Sequence, residues 1–172
     1  MTTAHVFIAS SLDGFIARPD GDIDWLLQRD DPTEDHGYLA FIADKDCIVM
    51  GRGSYEKALT FDPWPYDLPV LVLSQKLAHT PVPLALKDKL SFSSQSPKDV
   101  MTTLVGQGVR KVYVDGGLLV QSFLRDGLLP GVLVALQTLS SFYYGIFFVT
   151  YLVPVAAALF WSVKGPRLWP AM

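Results

Sequence analysis

Apolar residues in positions 1–128 occur in short runs that alternate with amphipathic segments. Runs that favour buried strands cover residues 5–10, 47–50, 69–74, 91–94 and 109–114. Segments with helical spacing or helix-start residues cover residues 34–45, 55–59, 96–108 and 118–126. This alternation predicts an α/β domain with a mostly parallel central sheet flanked by helices.

Serine residues mark the starts of two of the predicted helices. Ser54 is the N-cap expected for the helix over 55–59. Ser96 is followed by Pro97 and Asp99, which is the pattern of a capping serine, a proline at the first helical position and an acid in the first turn. Both helices are therefore expected to begin directly after a serine.

Glycine-rich turns join a predicted strand to a predicted helix at residues 51–54 and again at residues 115–117. Glycine lets the backbone approach a ligand closely, and the start of the following helix favours an anion. Arg52 adds a positive fork and Ser54 a hydroxyl, which suit a phosphate such as the 2′-phosphate of NADPH. Each turn alone is also explained by ordinary turn geometry. Two of them at equivalent ends of parallel strands favour a nucleotide site.

Asp13 is the carboxylate that the pattern singles out, because it follows an apolar strand and precedes Gly14. In that position it would face the same crevice as the glycine turns. The alternative is a turn residue bonded to its own backbone. Trp25 is suited either to cover a planar ligand or to pack in the core. Asp99 and Asp115 are interpreted as structural, the first as a helix-start acid and the second as a turn residue.

Composition and charge narrow the classes of function. The net charge of −3 provides no basic surface for nucleic acid. The single cysteine, Cys47, lies in an apolar run and is expected to be a buried, inert thiol. His5, His36 and His79 lack ligand spacing, so no metal is expected. The N-terminal residues have no secretory pattern, which predicts a cytoplasmic protein.

Four segments of the chain, taken in order, resemble the dihydrofolate reductase superfamily. They are residues 8–17, 22–26, 49–56 and 112–117. The branch they resemble most is the reductase (C-terminal) half of the bifunctional riboflavin-biosynthesis deaminase–reductase, with its small stand-alone relatives. The resemblance covers residues 4–128. It implies a dihydrofolate-reductase-like fold, a homodimer, and an NADPH-dependent reductase of a pteridine- or pyrimidine-like ring, similar to 5-amino-6-(5-phosphoribosylamino)uracil reductase.

The resemblance also implies roles for individual residues. Five of them match the family's two cofactor turns: Gly51, Arg52, Ser54, Gly116 and Gly117. Ala9 and Ile16 match residues that flank the nicotinamide, and Asp13 matches a position near the substrate. Asp24 and Trp25 lie in the segment that resembles the family's mobile lid. The protein would contribute position, water exclusion and a proton source to hydride transfer.

Two positions depart from the family pattern. Riboflavin reductases usually carry a lysine in the first strand, within reach of the substrate phosphate, where this chain has Phe7. This departure argues against a phosphoribosyl-pyrimidine substrate. Folate reductases place a carboxylate on the helix after the lid, and the candidates here are Asp31, Glu34 and Asp35.

The chain is expected to divide into a reductase-like domain over 1–128 and an atypical hydrophobic tail over 129–172. No charged residue occurs between Leu128 and Val163, a stretch long enough to span a bilayer. One hypothesis is that the tail reflects an altered reading frame or an unspliced insertion, and the other is a membrane segment within 129–163. The alternative function is accordingly a degenerate nucleotide-binding or membrane-tethered protein that keeps the fold without turnover.

Overall fold

Five short strands form one sheet in the computed structural model, which describes residues 2–11, 13–28 and 34–129. The strands are β1 (Thr3–His5), β2 (Cys47–Gly51), β3 (Val70–Leu73), β4 (Leu90–Ser93) and β5 (Lys111–Asp115). Their order across the sheet is β1-β5-β2-β3-β4, and every neighbouring pair is parallel. The predicted α/β class with a parallel sheet is confirmed.

The helices in the described part of the chain follow the strands, and the sequence pattern predicted each of them except the short first one, Asp24–Leu27. They are α1 (Asp24–Leu27), α2 (Tyr38–Ile42), α3 (Arg52–Ala58), α4 (Pro97–Gly106) and α5 (Gly117–Arg125), with a 3₁₀ turn at Leu84–Leu86. Ser96 caps α4, since its Oγ accepts a hydrogen bond from the Asp99 backbone N–H at 3.3 Å and donates one to Asp99 Oδ2 at 2.6 Å. The prediction for this helix start is confirmed.

The first strand is shorter and lies earlier than the predicted 5–10. Ladder hydrogen bonds to β5 end at His5, which pairs with Tyr113. The apolar alternation continues past that point because Val6 and Ile8 pack against the core on one face of the sheet and Phe7 against the core on the other. Burial on alternating sides therefore extends beyond the hydrogen-bonded strand, and the strand prediction was wrong over 6–10.

The helix after β2 begins earlier than predicted, and its cap is a different residue. Gly51 is the N-cap, with extended backbone at φ −79° and ψ 162°, and α3 starts at Arg52. Ser54 lies inside the first turn of α3, so the prediction that it caps the helix was wrong. The chain turns directly from strand into helix, which leaves the Ser54 hydroxyl available for another partner.

Two apolar cores cover the two faces of the sheet. On one face, α4 and α5 contribute Val100, Leu104, Leu119, Val120 and Phe123 against strand residues that include Val49 and Val114. On the other, α2 and α3 pack over Ile48, Met50, Val70, Val72 and Tyr113. Residues along β2 and β5 alternate between the two cores, as the pleat requires.

Cys47 is buried in the core beneath α4 and α5. Burial raises the pKa of its thiol to about 11. A thiol with that pKa is protonated and a poor nucleophile at neutral pH. The predicted burial of Cys47 is confirmed.

A charged cluster holds the amino ends of β2 and β5 together. Lys45 is buried, and its Nζ donates hydrogen bonds to Asp44 Oδ1 and to the Phe41 carbonyl, the latter at 2.8 Å. Lys111, the first residue of β5, donates to the other oxygen of Asp44. The hydrogen bonds from Lys111 and Lys45 lower the pKa of Asp44 from 3.8 to about 2.

Replacing Asp44 with asparagine is expected to lower the thermal unfolding midpoint in a pH-dependent way. Because the folded pKa of Asp44 is depressed, its ionised form stabilises the fold above the ordinary pKa of 3.8, and this stabilisation is lost as the pH falls toward 2. The difference in midpoint between wild type and Asp44→Asn should therefore be largest near neutral pH and shrink below pH 3.8. Thermal unfolding followed by circular dichroism across this pH range measures it.

Asp67→Asn is the matched control for this variant. Asp67 pairs with Lys89 at 3.1 Å, but its side chain is fully exposed, so the pair contributes little. The thermal unfolding midpoint of Asp67→Asn should equal that of wild type at every pH. A constant difference for Asp44→Asn across the whole range would contradict the assignment of the low pKa to this cluster.

The predicted tail lies outside the described residues from Pro130 onward, and so does the candidate carboxylate Asp31. The boundary predicted at residue 128 and the membrane segment within 129–163 stay predictions. Among the helices of the described ranges, none combines the length and apolar character needed to cross a bilayer.

Candidate active site at the carboxyl ends of β2 and β5

The two glycine turns meet at one place, because β2 and β5 are adjacent parallel strands whose carboxyl ends coincide. Met50 pairs with Asp115 at the last register position of the two strands. A Cβ on Gly116 would lie 2.6 Å from Ser54 Oγ and 3.6 Å from the Gly51 backbone nitrogen. The turn at 51–54 and the turn at 115–117 are therefore in direct contact, at the sheet edge where ligands bind in parallel α/β folds.

Backbone conformation explains the need for glycine at the second turn. Gly116 has φ +100° and ψ 127°, a region that side-chain-bearing residues rarely adopt. It is the N-cap of α5, and no side chain caps this nine-residue helix. The first backbone N–H groups of α5 thus have no side-chain acceptor, as expected where a helix start holds an anion.

Arg52, the residue predicted to hold a phosphate, is the first residue of α3 and is exposed. Its Nη1 lies 2.7 Å from Glu56 Oε1, one turn along the same helix. An exposed ion pair of this kind contributes little to stability, so exchanging Glu56 for a phosphate costs little. The guanidinium is placed at the glycine turn and is able to change partners.

Ile16 reaches the second glycine turn. A Cβ on Gly117 would lie only 2.4 Å from Ile16 Cδ1, so the Ile16 side chain packs directly on the glycine. Ala9 is half-buried in the irregular segment after β1. The roles of Ala9 and Ile16 beside a nicotinamide stay predictions.

Asp13 lies on a tight local turn and is exposed. Its Oδ1 accepts a hydrogen bond from Ser11 Oγ at 2.6 Å. The same turn is closed by backbone bonds from Ser11 N to Phe15 O at 2.8 Å and from Gly14 N to Ser11 O at 2.9 Å. The carboxylate is thus bonded within its own turn, through a neighbouring hydroxyl, and its place near a substrate stays a prediction.

The segment predicted to form a lid contains the short helix α1. Asp24 is its exposed first residue, and Asp22 Oδ1 accepts from the Asp24 backbone N–H at 2.7 Å. That bond is the largest cause of the lowered pKa of Asp22, and attraction from Lys57 on α3 also lowers it. Trp25 is half-buried, and a covering motion of Asp24 and Trp25 stays a prediction.

Asp115 is the site residue that the sequence interpretation missed. It is the last residue of β5 and not a turn residue, and it is partly buried. Burial raises the pKa of its carboxyl, against hydrogen bonds from Tyr113, Ser54 and the Gly116 N–H, which favour the ionised form. The available signal was its position two residues after Tyr113 in a buried strand, which puts both side chains on one face of the sheet.

Three tyrosine side chains interact with this carboxyl, one by a hydrogen bond and two through its charge. Tyr113 Oη donates to Asp115 Oδ1 at 3.2 Å. Burial raises the pKa of Tyr38 on α2 and of Tyr66 in the connection after α3, and the charge of Asp115 raises both further. Phe7 adds its ring to the same cluster, 5.5 Å from the ring of Tyr38. The site thus combines a turn suited to phosphate with a carboxyl among aromatic hydroxyls.

The residues present fit a nucleotide cofactor better than a metal ion. Both glycine turns lie at the carboxyl ends of β2 and β5, and the exposed Arg52 directly follows Gly51 in the first of them. Within the described ranges, no three His, Cys, Asp or Glu side chains are close enough to hold a metal ion.

Comparison with protein families identifies the chain. The family model of the RibD C-terminal domain matches residues 3–136. The chain belongs to the RibD C-terminal domain family. The sequence resemblance to this branch is confirmed, and the match covers every strand and helix described above.

Similar proteins include one curated bacterial relative and several solved structures. The uncharacterized protein YwjB of Bacillus subtilis (strain 168) is 31% identical over 127 residues, which cover 70% of this chain and 68% of YwjB. A protein from Shewanella sp. PV-4, described as a candidate riboflavin biosynthesis protein, is 39% identical with a TM-score of 0.66. That alignment covers 75% of this chain and 72% of the Shewanella chain.

Two larger proteins share the fold. One is the diaminohydroxyphosphoribosylaminopyrimidine deaminase/5-amino-6-(5-phosphoribosylamino)uracil reductase of Thermotoga maritima, with 14% identity and a TM-score of 0.53. It is covered over 42% of its length and over 73% of this chain. The other is RibD of Acinetobacter baumannii, with 19% identity, a TM-score of 0.52, and coverage of 44% of its chain and 75% of this one. The predicted dihydrofolate-reductase-like fold of the riboflavin reductase type is confirmed.

Proposed function

We propose that the protein is an NADPH-dependent reductase that transfers hydride to a pteridine- or pyrimidine-like heterocycle. The observation that carries the proposal is the meeting of the two glycine turns with the partly buried Asp115 at one end of the sheet. Membership of the RibD C-terminal domain family supports the same reaction class. The expected reaction resembles that of the 5-amino-6-(5-phosphoribosylamino)uracil reductase named for the Thermotoga relative.

Cofactor binding is assigned to the contact between the turns. Arg52 would hold the 2′-phosphate of NADPH, and Ser54 with the backbone of Gly51, Gly116 and Gly117 would approach the rest of the cofactor closely. Bound NADPH supplies the hydride. Ala9 and Ile16 would flank its nicotinamide, with Asp24 and Trp25 excluding water above the site.

Reduction of a ring by hydride also requires a proton, and Asp115 is the residue placed to hold it. Its raised pKa brings the carboxyl closer to neutral pH than an exposed aspartate, which suits a general acid. Ser54, in the first glycine turn, bonds to this carboxyl. Asp13 would contact the substrate from its own turn, the one that Ser11 and Phe15 close.

The substrate proposed here is a heterocycle that carries no phosphate group on the side that would face Phe7. The Phe7 ring packs 5.1 Å from the ring of Phe41 and forms part of the aromatic cluster instead of presenting a cation. A homodimer and a cytoplasmic location belong to the same proposal.

Titration of the purified full chain with NADPH, followed by protein fluorescence, tests the cofactor assignment. We expect saturable binding that is tighter for NADPH than for NADH. Arg52→Ala should weaken NADPH binding by about tenfold or more, the effect of losing a charge-assisted bond to phosphate. It should leave NADH binding nearly unchanged, because NADH lacks the 2′-phosphate.

Glu56→Gln is the matched control, because it removes the ionic partner of Arg52 and keeps the guanidinium. Its NADPH affinity should equal or exceed that of wild type. A folded protein that binds neither nucleotide would contradict the proposed function and favour a degenerate member of the family that has kept the fold without turnover.

A further inference from the structure

The hydroxyl of Tyr113 lies within hydrogen-bonding distance of two oxygen atoms but has only one proton to donate. Tyr113 Oη is 3.2 Å from Asp115 Oδ1 and 3.3 Å from the backbone carbonyl oxygen of Phe7. A phenol has one O–H to donate and lone pairs with which to accept. The ring is buried and packs edge-on against Phe41 at 5.2 Å and Tyr38 at 6.5 Å, which restricts its movement toward either oxygen.

The two oxygens differ in what they can do. The Phe7 carbonyl only accepts, whereas Asp115 accepts when ionised and donates when protonated. With Asp115 ionised, the Tyr113 proton is best placed on the carboxylate, where the bond is charge-assisted. With Asp115 protonated, the carboxyl donates to Tyr113 Oη, and Tyr113 donates to the Phe7 carbonyl.

We propose that Tyr113 is a positioning residue for the proton on Asp115, with a hydroxyl that turns from the Phe7 carbonyl to the Asp115 carboxylate when that proton leaves. This inference rests on the proposed function, in which Asp115 supplies the proton that accompanies hydride transfer. The O–H bond of Asp115 breaks and its proton goes to the substrate ring. The carboxylate left behind gains the Tyr113 hydrogen bond, which makes release of the proton less costly.

Other groups face Asp115, and they differ from Tyr113 in their contacts. Ser54 from α3 and the Gly116 N–H also bond to the carboxyl. The charge of Asp115 raises the pKa of Tyr38 on α2 and of Tyr66 in the connection after α3. Among the described residues, neither of these hydroxyls forms a hydrogen bond with Asp115. No lysine, arginine or histidine of the described ranges contributes to the shifted pKa of Asp115. Tyr38 therefore serves as a matched aromatic control in the same cluster.

A carboxyl titration of the full chain tests the proposal without relying on turnover. Protein labelled with ¹³C at the aspartate carboxyl is titrated by NMR, and Asp115→Asn assigns the Asp115 signal. In Tyr113→Phe, the Asp115 midpoint should move to higher pH, because losing the charge-assisted donor outweighs losing the weaker acceptor of the neutral form. Tyr38→Phe should leave it close to wild type. An unchanged or lower midpoint in Tyr113→Phe, or an equal rise in both variants, overturns the proposal.

A second label reports the turning of the hydroxyl in the unmutated side chain. The ¹³Cζ signal of Tyr113 should shift at the pH where Asp115 titrates, and this shift should be absent in Asp115→Asn. If the ¹³Cζ signal of Tyr113 does not shift at the pH where Asp115 titrates, the proposal is overturned. This result is available even if Tyr113→Phe fails to fold.

NADPH titration of the same variants separates this inference from the proposed function. Tyr113→Phe should bind NADPH like wild type, because Tyr113 is placed among the groups that hold the proton and not at the phosphate turn. Loss of NADPH binding in wild type would defeat the proposed function, whereas the carboxyl titration would still report whether Tyr113 follows the proton on Asp115.

Discussion

Replacing Gly116 with alanine is expected to abolish NADPH binding and to reduce the free energy of unfolding by about 1–3 kcal/mol, the usual cost of a strained backbone conformation. The residue has φ +100°, which alanine adopts only with strain. The added Cβ would also lie 2.6 Å from Ser54 Oγ, so either the serine or the turn must shift. Both effects act where the two glycine turns meet. Urea unfolding and nucleotide titration of the same preparation measure them.

Gly53→Ala is the control for Gly116→Ala. Gly53 belongs to the first glycine turn but lies inside α3, and nothing is within 4 Å of the position where its Cβ would stand. Alanine there should leave stability unchanged or slightly raised, because it has the higher helix propensity. If Gly116→Ala bound NADPH as well as Gly53→Ala, the contact between the turns would not be the cofactor site.

Replacing Phe123 with alanine is expected to cost about 3–5 kcal/mol of stability, the range found for large aromatic side chains removed from a core. Phe123 is fully buried, with 0% of its surface exposed, in the core between the sheet and α5. That helix begins directly after Gly116, so the same packing holds the second glycine turn in place. Urea unfolding monitored by circular dichroism provides the measurement.

Leu124→Ala is the neighbouring control on α5. Leu124 is 40% exposed, so its removal creates no enclosed cavity and should cost clearly less than removal of Phe123. Equal costs for the two variants would mean that α5 does not pack on the sheet through Phe123.

Local sequence signals located most of the strands and helices correctly where burial and hydrogen bonding coincide. The residues of β2 are buried in one core or the other at every position from Cys47 to Met50, so the strand appears as an unbroken apolar run. The start of α4 was predictable because Ser96 and Asp99 bond to each other within one turn. Beyond His5, by contrast, apolar residues are partly buried against the cores without strand pairing, and the pattern overestimated β1.

The candidate site was only partly predictable. Both glycine turns were identified, because a strand followed by glycine and a helix is a local signal. Asp115 was interpreted as a turn residue because two glycines follow it, although Tyr113 two residues earlier in a buried strand was a signal for its burial. Its partner Ser54 comes from the other turn, and Tyr38 and Tyr66 come from separate elements.

The sequence alone was sufficient to determine the parallel α/β class and the presence of two glycine turns after strands, because both depend on residues that are neighbours in the chain. It also indicated the RibD C-terminal domain family, through the resemblance of four segments taken in order. Only the tertiary structure decided that the turns touch, that Ser54 bonds to Asp115 instead of capping its helix, and that the Tyr113 hydroxyl lies between Asp115 and Phe7. The physical reason is the strand order: β5 lies between β1 and β2, which brings residues from three distant parts of the chain to one end of the sheet.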